Sequence, residues 1–306
     1  MYRTPGPVLS TPAIDANGNP VFGAKFAVVC LDAAEGTELW TYTTADWVSS
    51  SPAIDDAGVV YVGSQDGSVY ALEPPAVMGR PSSVTRVVWR FTAGDGVQSS
   101  PLLLPGGVLV VGCDDHKVYA INTATGTQLW SYTTGQEVIT TPVAGPDDTI
   151  VIGSSDGVVY GLHATNGSLR WTVPTGAVVW SSAATSSSGV VYVGSSDQYV
   201  YAINGTSGAV VWRTLMGVPV QSSPALGPDG ALYVGANDGA VHVLHGDTGA
   251  VLATFAIADP GRDQDVPSSP VLAASGGGYL LRVCTFVPRL VSACLSACRG
   301  YIWVAT

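Results

Sequence analysis

Along most of this chain, short runs of alternating apolar and polar residues are broken by Gly, Asp, Asn and Pro. A period of two places successive side chains on opposite faces of an extended strand, so the pattern predicts half-buried β-strands joined by tight turns. In one stretch, Val59-Val60-Tyr61-Val62-Gly63-Ser64 leads through Gln65-Asp66-Gly67 into Val69-Tyr70-Ala71-Leu72. The phrase returns from Val190 to Ala202 and from Ala231 to Val243. Asp-Gly between two apolar runs is a strong hairpin signal and predicts positive φ at both turn residues. Asp66-Gly67, Asp156-Gly157 and Asp238-Gly239 fit it, while Asp115-His116 and Asp197-Gln198 fill the same slot less ideally.

Two markers show that these hairpins belong to a long repeat. Trp89, Trp130, Trp171 and Trp212 are each 41 residues apart, and Trp40 precedes Trp89 by 49. The second marker is a hydroxyl pair followed by Pro: Ser10-Thr11-Pro12, Ser50-Ser51-Pro52, Ser99-Ser100-Pro101, Thr140-Thr141-Pro142, Ser222-Ser223-Pro224 and Ser268-Ser269-Pro270. Ser181-Ser182-Ala183 keeps the place without the Pro, which makes seven copies. Each copy predicts four strands in about 40 residues, the size of one propeller blade. The predicted blades are about 6–45, 46–94, 95–135, 136–176, 177–217, 218–262 and 263–306, one domain over residues 1–306. The expected fold is an all-β, seven-bladed β-propeller of four-stranded antiparallel blades, with a fragment of an eight-bladed ring as the alternative.

The end of each unit carries a family signature. Ala120-Ile121-Asn122-Thr123-Ala124-Thr125-Gly126-Thr127-Gln128-Leu129-Trp130 reads A-x-[DN]-x-x-T-G-x-x-x-W, and Leu31 to Trp40, Gly161 to Trp171 and Ala202 to Trp212 repeat its core. This resembles the repeat of the pyrroloquinoline-quinone (PQQ) enzyme-like propellers. That superfamily holds quinoprotein alcohol dehydrogenases and the non-enzymatic lipoprotein of the outer-membrane assembly machinery. The resemblance covers residues 6 to about 262 and is specific to the repeat, not to a function. It implies an innermost Ser-Ser-Pro strand and an outermost Trp strand. Trp40, Trp89, Trp130, Trp171, Trp212 and Trp303 would then dock between blades, each burying a large apolar ring and placing an indole N–H. Ala253 holds that slot in the sixth unit, so its junction is expected to be the weaker one.

Two segments depart from the pattern. Residues 74–85, with Pro74 and Pro75, read as a surface excursion in the second unit, either neutral or partner-contacting. Leu280 to Gly300 lacks the Asp-Gly turn and the T-G-x-x-x-W phrase. It holds Cys284, Cys294 and Cys298 and only positive charge. It reads as a diverged last blade, a segment from a wrong reading frame or splice, or a basic tail.

Composition narrows the function. Charged residues are only 11%, and 19 Asp stand against 4 Glu and 2 Lys, which favours turns over helices. A net charge of −11 gives no footprint for nucleic acid or an anionic membrane. No signal peptide, no transmembrane stretch and no Cys-x-x-Cys pair is visible, and the compartment is not legible.

In a repeat, positions equal in all copies serve the fold, and positions that vary are free to serve function. The slots three and five residues before the Pro slot vary, and the resemblance sets them at one mouth of a central channel. They offer two aromatics (Trp47, Trp180), two amides (Gln98, Gln221) and two acids (Glu137, Asp265) as candidate ligand-binding residues. The plain alternative is ordinary loop and strand-end residues.

Other chemistry is thin. Quinoprotein dehydrogenases need a calcium set and usually a vicinal Cys pair; no two cysteines here are adjacent, and no catalytic residue is assigned. Asp15-Ala16-Asn17-Gly18-Asn19 resembles a calcium loop, but a turn explains it equally, and no metal site is predicted. His242 and His245 fall on opposite faces of a strand. Asn166-Gly167-Ser168 and Asn204-Gly205-Thr206 are glycosylation sequons that coincide with the repeat's turn. The expected function is a non-catalytic binding or scaffold module for a protein or peptide, with no cofactor, no nucleic acid and no membrane insertion. It would be a monomer or part of a larger chain. The alternatives are a PQQ- and calcium-dependent oxidoreductase and a small-ligand sensor domain of a larger protein.

Overall fold

The computed structural model describes residues 2–4, 6–75, 85–256, 269–275, 278–282 and 301–305. These contain no α-helix and form six four-stranded antiparallel sheets and one three-stranded sheet. Sheet one consists of Ala13–Ile14, Pro20–Ala24, Ala27–Leu31 and Glu38–Thr43, paired in chain order. Sheet two spans residues 53–92, sheet three 102–133, sheet four 143–174, sheet five 184–215 and sheet six 225–256, all in the same order. The last sheet pairs Val271–Ser275, Gly278–Arg282 and Tyr301–Ala305, with Trp303 opposite Leu280.

The chain divides into two compact units. Residues 1–142 with 166–168 hold sheets one to three, and residues 143–165 with 169–306 hold the rest. In each unit the core lies between neighbouring sheets. In the first, Val48 of the link into sheet two packs with Val28, Trp40, Val62, Tyr70 and Leu72. In the second, Val179 packs with Val151, Trp171, Val193 and Tyr201.

In the six four-stranded sheets the first strand is the short one, two residues long in five of them, and begins after the Pro slot. The hydroxyl pair before it holds the sheets. The first hydroxyl is buried and accepts the amide of a glycine on its own second strand: Gly63 to Ser50 Oγ and Gly112 to Ser99 Oγ at 3.1 Å, Gly235 to Ser222 Oγ at 2.9 Å. The second accepts an amide from the preceding sheet's marker: Thr11 to Ser51 Oγ, Ser51 to Ser100 Oγ, Ser182 to Ser223 Oγ and Ser223 to Ser269 Oγ, at 2.9–3.0 Å. One residue of the pair closes a sheet and the other joins sheets.

The same second-strand glycine is required by space, not by φ. A Cβ at Gly63, Gly112, Gly153 or Gly194 would lie 2.4–2.6 Å from Cγ1 of Val97, Val138, Val179 or Val220, the fully buried valine that enters the next sheet.

The Asp-Gly hairpin is built differently from the expected turn. Only the glycine slot has positive φ, as in Gly67 (79°), Gly157 (80°) and Gly239 (76°). The loop is three residues long. Gly67 donates to Ser64, and Ser64 pairs with Ser68 across it. Such a loop is a type I turn closed by one left-handed residue, which leaves the Asp in ordinary geometry. His116 (φ 70°) and Gln198 (φ 78°) take the glycine's place at a steric cost.

The Asp has other work. Its carboxylate accepts a tyrosine hydroxyl four residues on: Tyr70 to Asp66 at 2.7 Å, Tyr160 to Asp156 and Tyr201 to Asp197 at 2.6 Å. The same oxygen of Asp66 accepts the Ala45 amide, and that of Asp197 the Gly176 amide, from the link that precedes each sheet. Burial, then the Asp contact, pushes the Tyr70 and Tyr201 hydroxyls up to about 12. In sheet six, His242 replaces the tyrosine, with Nε2 2.9 Å from Asp238 and Nδ1 3.1 Å from Thr254 Oγ1.

Candidate functional site

The candidate residues stand where the chain leaves one sheet and enters the next. Their backbones belong to the repeat. The carbonyls of Trp47, Gly96, Val178 and Pro219 accept amides of Gln65, Asp114, Ser196 and Asn237 on the hairpin turns, at 2.8–3.1 Å. The amides of Val48, Val97, Val179 and Val220 reach back to the previous hairpin. The frame is fixed by main chain, and side chains at the variable slots are presented from it.

In the first unit, Trp47 is half-buried and meets Phe26 edge-on, with centroids 6.0 Å apart. Gln98 donates through Nε2 to Asp114 Oδ2 at 2.7 Å. Glu137 acts by charge on the same Asp114. Burial pushes the Asp114 carboxyl above its usual range against the lowering effect of the Gln98 hydrogen bond; Asp95, Glu137 and Asp115 push it further up. Asp114 Oδ1 is buried and, among the described residues, has no hydrogen-bond partner.

In the second unit, Trp180 is 44% exposed and its indole N–H lies 3.3 Å from Ser155 Oγ. Gln221 Nε2 lies 3.4 Å from Ser196 Oγ. Asp265 lies outside the described residues, as do Cys284, Cys294 and Cys298 and most of residues 74–85. Gln98 thus holds a carboxylate that the Glu137 charge repels, Trp180 and Gln221 each lean on a hairpin serine, and Trp47 belongs to an aromatic pair.

Asp114 is the residue that sequence reasoning passed over. It belongs to a third variable slot, Gln65, Asp114, Ser155, Ser196 and Asn237, directly before the turn Asp or its equivalent. The rule that singled out the other slots identifies this one too. The slot was hidden by its nearness to the regular turn.

Four tryptophans of the fourth strands have a different environment. Trp40, Trp89, Trp130 and Trp171 are 6–8% exposed. The indole N–H of Trp89 donates to Thr123 O at 2.6 Å, Trp171 to Gly205 O at 2.9 Å and Trp212 to Gly246 O at 2.8 Å. The rings of Trp89, Trp130, Trp171 and Trp212 each cover the left-handed glycine of the next repeat's turn. A Cβ at Gly126, Gly167, Gly208 or Gly249 would strike Trp89, Trp130, Trp171 or Trp212 at 2.4–2.7 Å. Of Trp303 only the backbone is described.

The weaker signals resolve into turns. Asp15 Oδ1 accepts the amides of Asn17 and Asn19, and Oδ2 the Asn19 side chain, so both oxygens serve the local turn. Among the described residues no group of three or more His, Cys, Asp or Glu is placed to hold a metal ion. Cys30 and Cys113 are buried free thiols, each pushed up to about 12 chiefly by burial, and so are poor nucleophiles. No helix among the described residues is long and apolar enough to cross a membrane.

A PQQ-type repeat model described as outer membrane protein assembly factor BamB matches the chain in overlapping segments, residues 9–82, 24–177, 83–213 and 140–295. Among solved structures, the crystal structure of BamB from Moraxella catarrhalis aligns with a TM-score of 0.71 at 19% identity, covering 92% of this chain and 84% of that one. At that identity the likeness speaks for the fold, a β-propeller. No curated protein matches the sequence.

Proposed function

The chain belongs to the PQQ-type repeat family of outer membrane protein assembly factor BamB, and on that premise we propose that it is a non-catalytic propeller scaffold that binds a protein or peptide partner. The assembly-factor name is that of the matched family. What carries over to this chain is the class, a repeat scaffold whose variable slots face a partner. The finer architecture we propose is one seven-bladed propeller over residues 1–306, with the three-stranded sheet as its seventh blade. Seven copies of the hydroxyl marker support it, as does the bond from Ser223 to Ser269 Oγ.

The observation that carries the binding reading is Trp180. It is 44% exposed, whereas Trp40, Trp89, Trp130 and Trp171 are almost wholly buried. An exposed indole on a fixed backbone, beside the Ser155 hydroxyl, is the kind of side chain that dominates a binding hot spot. Gln221 is the other candidate of the second unit, and Trp47, Gln98 and Glu137 are the candidates that the first unit offers by itself. The reading needs no cofactor.

The test is site-specific photocrosslinking from position 180, followed by affinity measurement with the purified captured protein. Trp180→Ala should weaken that affinity by more than tenfold, about 1.4 kcal/mol, and leave the melting temperature unchanged. Unaltered affinity would remove Trp180 from the site. Saturable binding of PQQ with Ca²⁺, with dye reduction, would replace the scaffold by a quinone-dependent oxidoreductase.

A further inference from the structure

The first hairpin breaks the rule of the others. Sheets two to six turn through an Asp that clips a tyrosine or histidine, but sheet one turns through Lys25 and Phe26, with Ala24 paired directly to Ala27. Lys25 has φ 52°, in a two-residue turn where glycine is the default. By its amide bond to Pro7 O, Lys25 fills the variable slot of Gln65 and Asp114, and a cation held there in a strained conformation calls for a function. Its backbone is fixed: Lys25 N–H donates to Pro7 O (3.0 Å), Val48 N–H to Lys25 O (2.7 Å) and Thr44 N–H to Phe26 O (2.8 Å).

Beside this turn lies a cavity of about 450 Å³ in the first unit, lined among others by Lys25, Arg3, Phe26, Tyr2, Glu38 and Thr41. Lys25 is one of two lysines in a chain of net charge −11. Among the described residues neither Lys25 nor Arg3 has a carboxylate within ion-pair distance. The cavity's carboxylate, Glu38, accepts the Tyr2 hydroxyl. Lys25 Nζ lies 4.7 Å from the centre of the Phe26 ring, which is 36% exposed and supplies an apolar wall.

We infer that this cavity is a binding site for a monocarboxylate with an apolar body, its charge between Lys25 and Arg3 and its body on Phe26. Two cations against one carboxylate leave a single net positive charge, which a monoanion neutralises and a dianion such as phosphate exceeds. The carboxylate has two sources, a free small acid or the C-terminus of a peptide.

Calorimetry on the full chain at low salt tests the site, with benzoate as probe and an acetylated peptide ending in Phe, as free acid and as amide, beside it. Saturable benzoate binding is expected. Lys25→Gly, which also relieves the turn's φ, and Arg3→Gln should each weaken it at least tenfold, as loss of a charge-assisted contact does. Lys117→Gln, an equal change in net charge elsewhere, should leave it unchanged. Free-acid peptide that binds more tightly than benzoate, with its amide inert, assigns the site to a chain terminus; benzoate as tight as the peptide assigns it to a small acid. No saturation up to about 10 mM, or equal losses in Lys25→Gly and Lys117→Gln, overturns the proposal.

Discussion

The outer strands of sheets four and six have the same length and place but different contacts. Trp171 donates to the Gly205 carbonyl and covers Gly208 of the next repeat. Sheet six has Ala253 in that position, and the repeat after it has no Thr-Gly phrase. Trp and turn have disappeared together, one on each side of a single junction. The T-G-x-x-x-W phrase is therefore two half-signals. From Gly126 to Gly249 the glycine receives the tryptophan of the repeat before it, and from Trp89 to Trp212 the tryptophan goes to the glycine of the repeat after it.

Trp171→Ala removes the ring that distinguishes the two strands. It should cost about 3–5 kcal/mol, as for a buried aromatic truncated without collapse, and make the junction after sheet four resemble the one after sheet six. Denaturant unfolding reads this. A loss below about 1 kcal/mol would show that the ring adds little at either junction.

Gly153→Ala attacks the next contact, where the new Cβ would lie 2.4 Å from Val179 Cγ1. Overpacking of this kind costs about 1–3 kcal/mol. Val179→Ala in the Gly153→Ala background should recover part of it in a double-mutant cycle, and full additivity would disprove the clash.

Tyr201→Phe removes the hydroxyl from Asp197 and should cost about 1 kcal/mol. His242→Phe makes the matching change in sheet six, so the pair of melting curves shows whether the histidine clip equals the tyrosine clip.

The smallest effect is at Asp114. Its carboxyl is pushed above the usual carboxylate range, so the fold prefers the protonated form. Its contribution to stability should therefore rise as pH falls from the raised value to the ordinary one. Asp114→Asn should remove that rise and add a few tenths of a kcal/mol near neutral pH; unfolding curves across the acid range check both.

Much of this fold was legible because the chain states it repeatedly. Trp spacing, the hydroxyl-Pro marker and the Asp-Gly slot each located strands that the sheets contain. Their causes were less legible. Ser50 and Ser51 look alike in sequence, yet one bonds within a sheet and the other accepts from a neighbour. Gly63 reads as a strand residue, and only the approach of Val97 explains it. Asp66 was assigned to a turn that demands left-handed geometry, whereas its carboxylate is what the repeat uses.

The candidate site was legible only as a set of variable slots. Which of them share a partner depends on distances that a repeat pattern does not encode. Gln98 and Glu137 meet at Asp114, a residue the slot rule reached one turn too late. Lys25-Phe26 escaped notice because a missing Asp-Gly is quieter than a present one.

The offset between tryptophan and glycine bears on how such a chain can change in length. Between Trp89 and Trp212 the spacing is a constant 41 residues. Removing or duplicating one such interval at any cut in that stretch again brings a tryptophan up to a Thr-Gly turn. Each repeat of that stretch thus presents the same turn and the same tryptophan to its neighbours. A change in length by whole repeats within that stretch keeps the tryptophan-to-glycine contact.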